Sequence, residues 1–142
     1  MVVLDLVREK LRRIRGTQDA LRRVMPDGAA GLEEDRDRLD LVAFRVYLLI
    51  QEAIDLASHV ISDQGWGPAP SLREHFVILI EHQVIPAELG TRLAAGIKVR
   101  NLIGHAYVDI DPAKMYEAAQ EVLLLVEPYC AAVLAYGETH AT

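Results

Sequence analysis

Apolar positions recur at alternating steps of three and four along most of the chain, the period of helices that bury one face. In the first segment Leu4, Val7, Leu11, Ile14, Gln18, Leu21 and Met25 make a heptad-like stripe. Pro26-Asp27-Gly28-Ala29-Ala30-Gly31 then reads as a loop. A second segment opens on acids (Glu33, Glu34, Asp35, Asp37), which suit the positive end of a helix dipole. It continues through Leu39, Val42, Val46, Leu49, Ala53, Leu56 and Val60, with Ala43, Ile50, Ile54 and Ala57 widening the face. The unbroken period predicts one long helix of roughly thirty residues. Gly65-Trp66-Gly67-Pro68-Ala69-Pro70 closes it as a turn-rich connection.

Ser71 with Glu74 three residues later is a capping-box pattern, so a third helix starts there and runs to about Gln83. Pro86 fits the first turn of a fourth, carrying Leu89, Leu93, Ile97 and Arg100 along one side, with Gly104 placed to relax its end. Asp111-Pro112 opens the last helix, which passes Met115, Ala119, Val122, Leu123, Val126 and Val133, with Pro128 as a kink position. The expected fold is all-α, an antiparallel bundle of about five helices forming a single domain over residues 1–142. Within it, 1–25 is a basic N-terminal helix and 137–142 a frayed tail.

Composition changes this picture little. Half the residues are apolar and a quarter charged, which excludes a disordered chain. No uncharged run approaches the roughly 20 residues of a membrane span, and the charged N-terminus lacks a secretory leader's apolar centre. No membrane association is therefore expected. One cysteine, Cys130, excludes an internal disulfide and suits the cytoplasm; its reading is a small packing residue.

Charge does add something. Residues 1–24 hold seven basic and three acidic side chains, whereas the whole chain has a net charge of −6. The total opposes general polyanion binding. The basic first helix is either a solvated amphipathic face or a local attraction for RNA or an acidic partner.

The densest chemistry lies in Arg100-Asn101-Leu102-Ile103-Gly104-His105-Ala106-Tyr107. Arginine holds phosphate oxygens with a planar fork of donors that never loses its charge, and histidine moves protons near neutral pH. Arg100 and His105 are five apart, about 500° around an ideal helix, so they share a target only if the helix loosens near Gly104. His105 then suits proton transfer on RNA, whose 2′-hydroxyl is a built-in nucleophile, and Arg100 the phosphorane charge. One imidazole does not easily serve as acid and base at once. A two-fold dimer sharing one groove supplies the second. The plainer reading is that Arg100 and His105 cap helix carbonyls and Tyr107 packs as an ordinary phenol.

Arg100, Asn101, His105 and Tyr107, as Arg-Asn-x-x-x-His-x-Tyr, resemble the signature of the HepT toxins of the HEPN superfamily. Gln51-Glu52-Ala53-Ile54-Asp55-Leu56-Ala57-Ser58-His59 is similar to a further stretch of that family, as are Ser71-Leu72-Arg73-Glu74 and Leu89 to Arg100. The similarity covers roughly residues 33 to 136, with the first helix matching less clearly.

The resemblance implies a five-helix HEPN bundle whose homodimer forms a composite, metal-independent endoribonuclease site. Arg100 and His105 would be catalytic and Asn101 supporting. It also implies an MNT-type nucleotidyltransferase antitoxin that neutralises the toxin by moving AMP from ATP onto Tyr107, with no cofactor held by the chain itself. The added bulk and charge would exclude an RNA phosphate. Ile103-Gly104 departs from the branched apolar residue common before the histidine in relatives. It leaves open an alternative, a catalytically silent HEPN nucleotide-binding or partner-docking module.

The remaining candidates are weaker. His75 and His82 are seven apart, beyond the i, i+3 or i, i+4 spacing of ligands on one turn, so no metal site is expected. His59 reads as a helix-end residue, with Glu52 and Asp55 near the motif groove. Trp66 is a plug over the core or a partner contact. Gly-rich phosphate loops, Cys-x-x-Cys pairs and Gly-x-Ser-x-Gly are absent from the sequence.

Overall fold

A computed structural model describes residues 3–106 and 109–141. Among these residues there are six helices: α1 Leu4–Val24, α2 Ala30–Glu33, α3 Arg36–Gln64, α4 Leu72–Glu81, α5 Ala87–Ala106 and α6 Pro112–His140. The all-α bundle is as the periodicity predicts, with a four-residue α2 added across the end of the expected loop and Glu33, so that the long helix starts later, at Arg36. α3 is the hub and packs against all five others.

Each long helix follows its sequence signals. The α1 stripe buries Val7, Leu11, Ile14, Gln18 and Leu21. At its C-terminal end, carbonyls of the last turn are met by arginines of α3. Arg38 Nε donates to the Val24 carbonyl at 2.7 Å and Arg45 Nη1 to that of Ala20 at 2.6 Å. Such cationic donors suit the negative end of a helix dipole. Asp35 caps α3 by accepting from the Arg38 amide, and Gly65 ends it in the left-handed region at φ 72°, which glycine adopts without penalty. Ser71 Oγ accepts from the Glu74 amide at 3.3 Å to start α4. Asp111 caps α6 through the Ala113 amide.

One expectation about α6 holds and one changes. It runs through Pro128 as the pattern predicts, and the carbonyl deprived of its donor belongs to Leu124, a residue that is 68% exposed. It also continues past Gly137 to His140 where a frayed tail was expected. Gly137 is buried, Thr139 Oγ1 donates to the Ala135 carbonyl, and the His140 ring stacks on Tyr136 at 3.9 Å. These contacts hold the last turn. α6 is also long and apolar enough by composition to cross a membrane, with a window of mean hydropathy 1.4. Its apolar side chains Met115, Val122, Leu125, Val126 and Val133 are instead buried in the bundle.

The basic face of α1 is partly neutralised from within. Arg8 lies 3.8 Å from Glu138 and Arg15 3.5 Å from Glu127, both on α6. These pairs are half-exposed, so each contributes little stability. They favour the solvated-face reading of the basic helix. Cys130 is fully buried, and burial pushes its thiol up to about 12, which keeps it protonated and suits a packing role.

Candidate active site

α5 carries the motif, and it does not loosen where the sequence suggested. The helix passes Gly104 and continues to Ala106. A single interior glycine disfavours a helix by only about 1 kcal/mol, and burial of Ile103 at 7% exposure beside it opposes a break. Gly104 faces Tyr47 of α3, where an added Cβ would sit 3.6 Å from Cε2. An unbroken helix sets Arg100 and His105 about 7.5 Å apart along the axis and about 140° apart around it. One chain therefore does not aim both side chains at one point.

The two ends of the pair differ in character. Arg100 is half-buried against α3. Its Nε donates to Gln51 Oε1 at 3.3 Å, its Nη1 to Asn101 Oδ1 at 3.1 Å, and its guanidinium carbon stands 5.1 Å from the centre of the Tyr47 ring. A planar cation held over an aromatic face and an amide keeps a defined orientation. Two of its five N–H donors are engaged among the described residues. His105 is exposed, and its ring meets no hydrogen-bond or ionic partner among them. Asn101 is exposed and holds the guanidinium. Tyr107, the expected modification site, lies outside the described residues.

Tyr47 and Gln51 were not singled out by sequence reasoning. They sit one helical turn apart on α3 and meet Arg100 across 53 and 49 residues of chain. Only the quoted Gln51-Glu52-Ala53 stretch hinted that this part of α3 belonged with the motif. Glu52 and Asp55, expected near the motif groove, instead line a small cleft with Lys10 and Arg13 of α1. Burial raises the Glu52 carboxyl above its usual range, against the opposing effects of a Thr17 hydrogen bond and Arg13.

A stripe of apolar surface leads to the Arg100 corner. On α3, Leu41 and Phe44 are 38% and 58% exposed, and Leu48 is half-buried. Leu41, Phe44, Leu48 and Gln51 follow each other at three- and four-residue steps, so they lie on one face, and Gln51 is the residue that holds Arg100. Leu102 of α5 is also 44% exposed, but it lines a separate hollow with Ile110, Lys114 and Met115.

The other histidines are engaged elsewhere. His75 Nδ1 lies 3.0 Å from the Ser71 carbonyl. His82 stacks on Trp66 at 3.8 Å, and Trp66 meets Tyr136 edge-on, so this tryptophan packs within the chain. His59 Nε2 is 3.2 Å from Asp63. No group of three or more His, Cys, Asp or Glu side chains is arranged to hold a metal ion among the described residues.

The family model for ribonuclease HepT-like proteins matches residues 8–133. A tRNA nuclease HepT of Aphanizomenon flos-aquae is 34% identical over 71 residues, 50% of this chain and 48% of that protein. The matched stretch thus spans about half the length of that relative. An mRNA nuclease HepT of Shewanella oneidensis is 24% identical over 107 residues, covering 75% of this chain and 80% of that protein. Among solved structures, the tri-AMPylated Shewanella oneidensis HEPN toxin in complex with MNT antitoxin superposes with a TM-score of 0.84 at 23% identity. The superposition covers 92% of this chain and 98% of that one, and it shows a common fold. On the match to the family model, which takes in both the α3 hub and the Arg100 motif, the chain belongs to the ribonuclease HepT-like family.

Proposed function

We propose that this protein is a metal-independent endoribonuclease toxin that acts as a homodimer in the cytoplasm, with Arg100 and His105 as catalytic residues and Asn101 supporting Arg100. The observation that carries the reading is the asymmetry of the motif. Arg100 is fixed by Tyr47, Gln51 and Asn101, while His105, further along the same helix, is exposed and has no partner among the described residues. The exposed stripe through Leu41 and Phe44 offers a surface for the second copy. A two-fold axis beside it would set two guanidinium groups and two imidazoles around one groove.

In that groove the RNA 2′-oxygen bonds to phosphorus as the bond to the 5′-oxygen breaks. One imidazole takes the 2′-hydroxyl proton and the other, protonated, delivers one to the departing oxygen. The products are a 2′,3′-cyclic phosphate and a 5′-hydroxyl. Arg100, already oriented, stabilises the charge that develops on the phosphorane without reorganising.

The partner would be an MNT-type nucleotidyltransferase antitoxin that uses ATP to place AMP on Tyr107, two residues beyond His105. The tri-AMPylated Shewanella toxin in complex with MNT antitoxin supports such a partner, and the choice of Tyr107 rests on the motif. A phosphodiester-linked nucleotide there would repel substrate phosphate and block His105.

One observation favours the silent docking module as the second reading: within one chain, Arg100 is already committed to Gln51 and Asn101 and diverges from His105. The two readings separate on one experiment. Unmodified protein in EDTA should cut RNA to 2′,3′-cyclic ends, and His105→Ala should slow this at least a hundredfold. Equal rates for parent and variant would reject the catalytic assignment and leave the docking module.

A further inference from the structure

A cavity of about 170 Å³ lies between α3, α4, α5 and α6, apart from the motif corner. Its walls are Ile50 and Phe76 with Leu93, Val99, Val122 and Leu125, and the lining is almost wholly apolar. Protein interiors are close-packed, and voids of this size are few. An apolar cavity of similar volume, about 150 Å³, stays dry and takes up benzene or xenon.

Two further features mark this space. Gly96 forms part of the wall in the middle of α5, where glycine weakens a helix relative to alanine. Nothing in the packing requires it: an added Cβ would meet only Ile50 Cδ1, at an ordinary 3.9 Å. Gly90 of the same helix is different, since a Cβ there would lie 2.5 Å from Ile80. The missing side chain at 96 is therefore open volume rather than a close approach of helices.

The second feature is the rim. Arg92 of α5 and Glu121 of α6 both line the cavity and form a two-pronged ion pair, with Nε donating to Oε2 at 3.0 Å and Nη2 to Oε1. Both side chains are about 44% exposed, so the pair stands where the cavity opens to the surface and water can replace either partner.

We propose that this cavity is a binding site for a small neutral apolar molecule, of the size of a benzene ring with at most a short alkyl substituent. The Arg92–Glu121 pair forms its polar rim. Charged and strongly polar ligands are excluded, because the interior offers them no hydrogen-bond partners. An occupant would touch Val99, the residue next to Arg100, yet the site does not depend on any nuclease activity.

The test uses the full chain with methyl-labelled Ile, Leu and Val, titrated with benzene and observed by NMR. Saturable shifts confined to Ile50, Leu93, Val99, Val122 and Leu125 are expected, with Val7 and Leu39 unmoved. Gly96→Ala, which the 3.9 Å clearance accommodates, should weaken binding several-fold and raise Tm. Gly96→Leu should abolish binding wherever its Tm and circular dichroism match the parent. No saturable shift, or shifts centred on exposed Leu41 and Leu124, would overturn the proposal. So would Gly96→Ala binding as tightly as the parent.

Discussion

α1 and the C-terminal turns of α5 make opposite use of their charged and apolar side chains. α1 buries its stripe against α3 and α6, passes its end carbonyls to Arg38 and Arg45, and pairs Arg8 and Arg15 with acids of α6. Apart from Gln18, its buried and end groups are met inside the chain. At the end of α5 Arg100 is held from within, while His105 and Leu102 are exposed. A region whose chemistry is satisfied internally serves stability, and one left open at an ionisable group is where a second molecule has something to add.

That contrast can be broken from either side. The largest effect is expected at the open region: Phe44→Glu puts a charge on the stripe next to the Gln51–Arg100 corner. It should leave Tm within a few degrees, yield a monomer in analytical ultracentrifugation, and lower RNA cleavage about a hundredfold or more. A dimer of full activity would detach the stripe from function. In the closed region Leu11→Ala should destabilise by about 3 kcal/mol in urea unfolding, since the side chain is 1% exposed and leaves a cavity. Its cleavage rate at low temperature should be near that of the parent.

Smaller effects sharpen the same division. Gln18 is 1% exposed and its Nε2 has no hydrogen-bond partner among the described residues. Gln18→Met keeps the shape without the unpaired donor and should gain about 1 kcal/mol. Glu52 gives the smallest change and a defined sign. Burial raises its carboxyl in the folded chain, so the native state holds that proton more tightly than the unfolded one. Its contribution to stability is favourable at low pH and is lost as pH rises from about 4.5 through the raised value. Glu52→Gln, which leaves Lys10, Arg13 and Asp55 in place, should remove that loss. The variant's urea midpoint should gain on the parent's between pH 4 and pH 7.

The fold was largely legible because its signals are local. Asp35, Gly65, Ser71 and Asp111 mark helix ends through short-range hydrogen bonds or a left-handed backbone, and the α1 stripe repeats a simple period. α2 escaped notice because four residues, Ala30–Glu33, are barely one turn and include Gly31. The loosening that Gly104 allows does not occur within α5, because glycine preference is weak next to the burial of Ile103.

The candidate site was legible in its residue types and not in its geometry. Arg100, Asn101 and His105 stand together in sequence, but Tyr47 and Gln51 reach Arg100 only through the packing of α3 on α5, which no local spacing encodes. Glu52 and Asp55 share a stretch with Gln51, yet the helical turn directs them to α1.

The central claim is that the α5 end is half of a site completed by a second copy. Its most direct test is the RNA-cleavage rate per subunit as unmodified protein is diluted through its dimer dissociation, with mass followed in parallel. The rate should collapse over the concentration range in which the dimer separates. A per-subunit rate that stays constant when monomer predominates would contradict the claim.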